Sequence, residues 1–194
     1  MNKLTRADLQ SLERYAGERT AFRARVIAHK KARCVALGAH ISLLFEDRLT
    51  VQYQIQEMLR IERIFEAAGI QEELDAYNPL IPDGGNLKAT MLFEFPEAVE
   101  RAERLSKLAG IETRVYAEVD GHGRAFAHAD DGFDRSNEDR TSAVHFLRFE
   151  FTDDDIAALK SGTALSIGID DLRMRERVRV ADAVTAALVS DFGR

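Results

Sequence analysis

Apolar residues recur along this chain at two spacings, and the two spacings divide it into helices and strands. Over 48–68, Val51, Ile55, Met58, Leu59, Ile61 and Phe65 fall on one broad arc at about 100° per residue. That predicts a long amphipathic helix, closed by Gly69. Thr5 and Asp8 form a capping-box pattern ahead of a helix over 6–16, and a second helix over 20–32 follows Thr20. Strict alternation then takes over. Ile41, Leu43 and Phe45 point one way and His40, Ser42 and Leu44 the other, so 33–37 and 39–46 read as a hairpin closed near Gly38. A short acidic helix over 71–77 leads into the loop 78–86. Strands over 87–95, 113–120, 124–129, 142–151 and 164–169 follow, with helices over 97–109, 153–161 and 181–191. The polar stretch 130–140 has the composition of an exposed loop.

Strands come in hairpins or are separated by single helices, without the βαβ rhythm of a doubly wound sheet. The expected fold is α+β: an antiparallel or mixed sheet of about six to seven strands, with helices packed mainly on one face. One domain spans 1–194, helical over 1–78 and sheet-rich over 79–194. The 45% apolar content of 194 residues suffices for a core without metal or disulfide staples. Cys34, the only cysteine, excludes an intrachain disulfide and any cysteine-based zinc or Fe–S site within one chain. With no signal-peptide core at the N-terminus and no membrane-length apolar run, the expected location is the cytoplasm. A net charge of −6 argues against wholesale binding of nucleic acid or anionic membrane.

The phosphate-binding glycine motifs, the nucleophile elbow and the paired-histidine zinc motif are all absent. Four stretches nevertheless resemble a known family: LFEDRLTVQYQIQEMLRIERIFE (44–66), RVIAHKK (25–31), NPLIPDGGNLKATML (78–92) and SAVHFLRFEF (142–151). In this order, over nearly the whole chain, they resemble the bacterial family designated domain of unknown function three-five-zero-one. No activity comes with that resemblance. It implies a redox or oxidative-stress setting, with a rubrerythrin-like or Fe–S protein as partner.

Three ionisable side chains fall on faces that otherwise read as core. Glu62 sits amid Met58, Leu59 and Phe65; His145 shares a strand face with Ala143, Leu147, Phe149 and Phe151; His29 shares a helical stripe with Phe22 and Val26. Two histidines and a carboxylate form the ligand set of a facial triad, so His29, Glu62 and His145 are candidate ligands for a divalent metal, iron or zinc. The competing expectation is a dry network, with Glu62 paired to an arginine and each histidine bonded to a backbone carbonyl.

A second candidate is the loop 78–90. Pro79 and Pro82 stiffen it, Gly84 and Gly85 admit close backbone approach, and Asn86, Lys88 and Thr90 supply polar groups, so it is expected to line a cofactor or ligand pocket. The alternative is a plain structural turn. Tyr53, Gln56, Glu57, Arg60 and Arg63 form the polar side of the long helix and face either solvent or a partner. Arg19, Arg23, Arg25, Lys30, Lys31 and Arg33 fall in an acid-free run of fifteen residues, suited to an acidic surface or a polyanion. Cys34 beside that run is expected to pack rather than react. Three functions remain in order: an accessory binding protein of redox chemistry, a metal-dependent enzyme using the triad, and nucleic-acid binding through the basic second helix.

Overall fold

The computed structural model describes residues 2–129 and 141–193; the stretch 130–140, expected to be an exposed loop, lies outside them. The Thr5–Asp8 capping box is present, but it opens only a 3-10 turn, Arg6–Asp8. Helix α1 then runs unbroken from Leu12 to Lys31. Two helices were expected here. Thr20 does not divide them, because neither it nor Gly17 removes a backbone donor, as a proline would. The hairpin follows as β1 (Cys34–Leu37) and β2 (Ile41–Phe45), turned at Gly38 with φ 68°.

Helix α2 (Arg48–Glu62) is capped by Asp47, whose carboxylate accepts from the Leu49 and Thr50 N–H groups. It stops seven residues short of Gly69. Arg63 adopts a left-handed conformation (φ 56°), and α3 (Ala67–Tyr77) begins after Glu66. The apolar arc therefore buries only its first three turns, at Val51, Ile55 and Leu59, whereas Ile61 and Phe65 stand exposed.

The second half contributes β3 (Asn86–Phe93), α4 (Ala98–Ser106), β4 (Val115–Val119), β5 (Arg124–Phe126), β6 (His128–Ala129) and β7 (Val144–Glu150). It ends with α5 (Asp153–Lys160), β8 (Leu165–Asp171), β9 (Met174–Arg179) and α6 (Asp182–Val189). The fold is α+β, as expected, but among the described residues its strands form two sheets, ordered β1-β2-β3-β7-β6 and β5-β4-β8-β9, and every pairing there is antiparallel. Strand β9 was not expected. Its sequence, MRERVR, is charged at four of six positions, with arginines on alternate residues, and no residue of it is fully buried.

The two sheets share one core. Leu43, Phe45, Met91, Leu147 and Phe149 of the first sheet meet Val115, Ala117, Ile167 and Ile169 of the second. The segment β5–β6 passes from one sheet to the other along one side, and β1 touches β9 along the opposite side, so the assembly approaches a closed barrel. The opposite face of the five-stranded sheet meets the N-terminal helices. There, Val51, Ile55, Leu59 and Leu74 build a second core, joined by Phe146 from β7. Burying each such side chain contributes roughly 1.5–3 kcal/mol. This interface between sheet and helices holds the candidate site.

Candidate functional site

Residues 44, 46, 90, 92 and 146 point away from the barrel core by strand alternation, and the register sets Leu44, Thr90 and Phe146 in one row. Above that row pass α2 and the end of α3. Between them lies a cavity of about 310 Å³, lined by Leu44, Leu92, Phe146, Tyr77, Leu80 and Val51 and by the polar groups of Glu46, Thr50, Gln54, Thr90 and Lys30. Its walls are mostly apolar, with a small set of convergent polar groups, which is the usual make-up of a small-molecule site.

Glu46 is the chemically distinctive member. It is 9% exposed. The Thr90 hydroxyl donates to its Oε1 at 2.7 Å and the Thr50 hydroxyl to its Oε2 at 2.5 Å. Thr50 is itself fixed, since its oxygen accepts from the Asp47 N–H in the helix cap. No Lys, Arg or His among the described residues forms an ion pair with Glu46. A buried carboxylate offers about four acceptor positions, and two neutral hydroxyls fill half of them. Lys30 stands at the cavity wall with its ammonium over the Tyr53 ring, 5.8 Å from the centroid.

A dense ionic network adjoins the cavity on the far side of the Glu46 backbone. Arg33 is 1% exposed and donates to the carbonyls of Phe45 (3.0 Å), Ala187 (3.2 Å) and Glu46 (3.3 Å). It also pairs with Asp191, and its Nε lies 3.6 Å from Asp47 Oδ2. His29 Nε2 lies 2.5 Å from the same Asp47 oxygen. Burial works to raise the Asp47 carboxyl, yet the Thr50 N–H, Arg33 and His29 together hold it below the usual range. For Asp191 burial wins over Arg33 and pushes the carboxyl up to about 6. Arg33 thus ties the end of β2 to the C-terminal segment and fixes the backbone that carries Glu46.

The structure does not bring the expected metal triad together. Glu62 is exposed, because α2 ends on it and the chain turns away beyond the apolar core. His29 is engaged by Asp47 above the outer face of the five-stranded sheet. His145 lies on the inner face, 1% exposed, 2.8 Å from Thr141 Oγ1 and 2.9 Å from the Ser142 carbonyl oxygen. The sheet lies between the two histidines. Among the described residues no group of three His, Cys, Asp or Glu is placed to hold a metal ion. The inward carboxylate of α2 is Glu57 instead, which accepts from Tyr15 (2.7 Å) and doubly from Arg19 (2.8 Å each) and binds α1 to α2.

The loop 78–90 contributes less than expected. The Lys88 ammonium donates to the carbonyls of Pro79 (2.7 Å) and Ile81 (3.0 Å) and to Asp83 (2.9 Å), which uses all three of its protons. Burial holds its pKa below the ordinary lysine value. Asn86 bonds Asp83 and Glu150. Both side chains knit the loop, so of the three expected ligand-binding groups only Thr90 reaches the cavity. The basic run is similarly dispersed: Arg33 is buried and Arg19 is paired, while Arg23, Arg25 and Lys31 remain exposed. Gln56 of the polar helix side is buried, accepting from the Gln10 N–H at 2.5 Å. Cys34 is exposed, and partial burial followed by the Glu94 charge raises its thiol pKa.

Fold and site together define an α+β protein with a barrel-like pair of antiparallel sheets and a carboxylate-floored cavity under its helical layer. The model of the family described as "Protein of unknown function (DUF3501)" matches residues 3–192, and the chain belongs to that family. It is also similar to a crystal structure of a protein of unknown function from Burkholderia pseudomallei K96243. The two are 49% identical with a TM-score of 0.94, over 99% of this chain and 100% of that one. Curated proteins give no match. No helix among the described residues is long and apolar enough to cross a membrane.

Proposed function

We propose that the protein is an accessory binding protein whose helix-covered cavity takes a small ligand with one cationic head and an apolar body. The observation that carries this reading is Glu46, a buried carboxylate held by two hydroxyls, open to a cavity and without a cationic partner among the described residues. Leaving such a charge unpaired is costly, and a protonated amine or a guanidinium would offset that cost. Leu44, Leu92 and Phe146 suit an aliphatic or aromatic body, and Lys30 at the wall disfavours a second positive charge on the ligand. A rubrerythrin-like or Fe–S protein as the partner served by that ligand belongs to the same proposal, and the family resemblance supports it.

The test is a thermal-shift panel of small monoamines against carboxylates of matched shape. A monoamine at ten times its Kd stabilises by about 1.4 kcal/mol, which raises Tm by roughly 3–6 °C for a chain of this length. Glu46→Gln should abolish the rise. Equal shifts from the carboxylate series, or shifts retained in Glu46→Gln, would refute the reading.

A further inference from the structure

The outward face of the four-stranded sheet has a different chemistry from the cavity. Val115, Ala117 and Val119 of β4 and Ile167 and Ile169 of β8 point into the core. Alternation therefore turns Tyr116 and Glu118, Ser166, Gly168 and Asp170 outward. The register adds Arg124 and Phe126 from β5 on one side and Arg175, Arg177 and Arg179 from β9 on the other. Arg114, just before β4, joins them, with its guanidinium 5.6 Å from the Phe126 centroid. Arg124 covers Tyr116 at 4.2 Å. All five arginines are exposed, on a chain whose net charge is −6.

Among the described residues only Glu118 and Asp170 oppose them on this face, and both are already bridged. Glu118 holds Arg124 (3.1 Å) and Arg177 (3.0 Å), and Asp170 holds Arg124 (2.9 Å). Arg175 has no acidic partner among the described residues. Among the same residues Arg179 has only the solvent-exposed Asp182 at 3.5 Å, a pair of little energetic weight. Gly168 is what allows the aromatic layer to lie flat, since a Cβ there would run into the Tyr116 ring and come within 2.7 Å of the Glu176 carbonyl oxygen.

We infer that this face is a docking surface for an extended single-stranded nucleic acid. Arginines on alternate residues of β9 stand about 6.7 Å apart, a repeat that suits successive phosphates along an extended strand. Phe126, 39% exposed on β5 at the other edge of the same face and backed by Arg114, offers a ring on which a base can stack where the strand crosses the sheet from the β9 row. An acidic protein segment would satisfy the arginines but has no use for the ring. The surface is separate from the basic run of α1 and from the Glu46 cavity, so it stands or falls independently of the ligand proposal.

The experiment is fluorescence anisotropy of a labelled uridine 20-mer with the full chain across a salt series. The expected Kd at low salt is roughly 1–100 μM, and log K should fall with log salt at a slope of about −2, as three phosphate contacts on a single strand give. Arg175→Glu with Arg179→Glu should weaken binding at least tenfold, and Phe126→Ala about fivefold or more. Arg23→Glu with Lys31→Glu on α1 should leave it unchanged. Circular dichroism melts confirm that each variant folds. Absence of binding at low salt, an equal loss in the α1 variant, or capture of polyglutamate as strong as that of RNA and indifferent to Phe126→Ala would overturn the inference.

Discussion

Replacing Asp191 by alanine removes the acidic end of the buried network that fixes the Glu46 backbone. Arg33 and Asp191 are each about 1% exposed at the side chain, so the guanidinium that remains has no water to replace its partner. Breaking a buried pair in this way costs about 3–5 kcal/mol. The lower end applies here, because Arg33 keeps three backbone carbonyls and the Asp47 carboxylate at 3.6 Å. A loss of about 3 kcal/mol lowers Tm by roughly 6–12 °C in a chain of this length. Asp191→Asn retains an acceptor for Arg33 and should lose far less. The sign of the pH dependence follows from burial, which raises the Asp191 carboxyl to about 6 in the fold. Between the ordinary carboxylate value and about pH 6 the folded chain holds a proton that the unfolded chain has released, so stability from this group falls as pH rises through that window. Wild type should therefore gain on Asp191→Asn as pH drops from 6 toward 4. Thermal melts of the three proteins from pH 4 to 8 check both statements. A Tm loss under about 2 °C for Asp191→Ala, or a wild-type protein that loses ground to Asp191→Asn on acidification, would refute the reasoning.

Two further outcomes follow from the helical layer and the hairpin. Arg19, then Tyr15 and Arg60, hold the Glu57 carboxyl down to about 2 despite its burial, so its stabilisation is complete above the ordinary carboxylate range and is lost as pH falls toward 2. Glu57→Gln should lower Tm at pH 7 and flatten the decline between pH 5 and 3; a decline as steep as that of wild type would count against this role. The Cys34 thiol is raised by partial burial and by Glu94, so its alkylation by iodoacetamide should inflect at higher pH than that of a free cysteine, and an inflection at or below the free value would contradict the assignment.

The strands with clean alternation were legible in the sequence because one face of each is buried, as at Ile41, Leu43 and Phe45. Strand β9 was not, since its arginines face solvent on an edge and only Met174 and Val178 report the sheet. The arc over 48–68 was real only as far as Leu59. Periodicity gives the angle of Glu62 around the helix but not its height, and the left-handed Arg63 ends the helix where the core ends. His29 and His145 each have polar company, yet they lie on opposite faces of one sheet, a relation that only the three-dimensional topology supplies. Glu46 escaped notice although it closes the expected strand over 39–46, because a charged residue on the face turned from the core reads as an ordinary solvent-facing position. Its only sequence signal was strand parity, which places it with Ser42 and Leu44 on the face turned from the core.

The cavity reading is tested most directly by recording the backbone amide spectrum of ¹⁵N-labelled protein during titration with phenethylammonium, and separately with phenylacetate. The account predicts shifts centred on Glu46, Thr50, Gln54, Thr90 and Phe146 with the amine, none there with the acid, and none in Glu46→Gln. Shifts centred elsewhere, or an equal response to phenylacetate at the same residues, would contradict it.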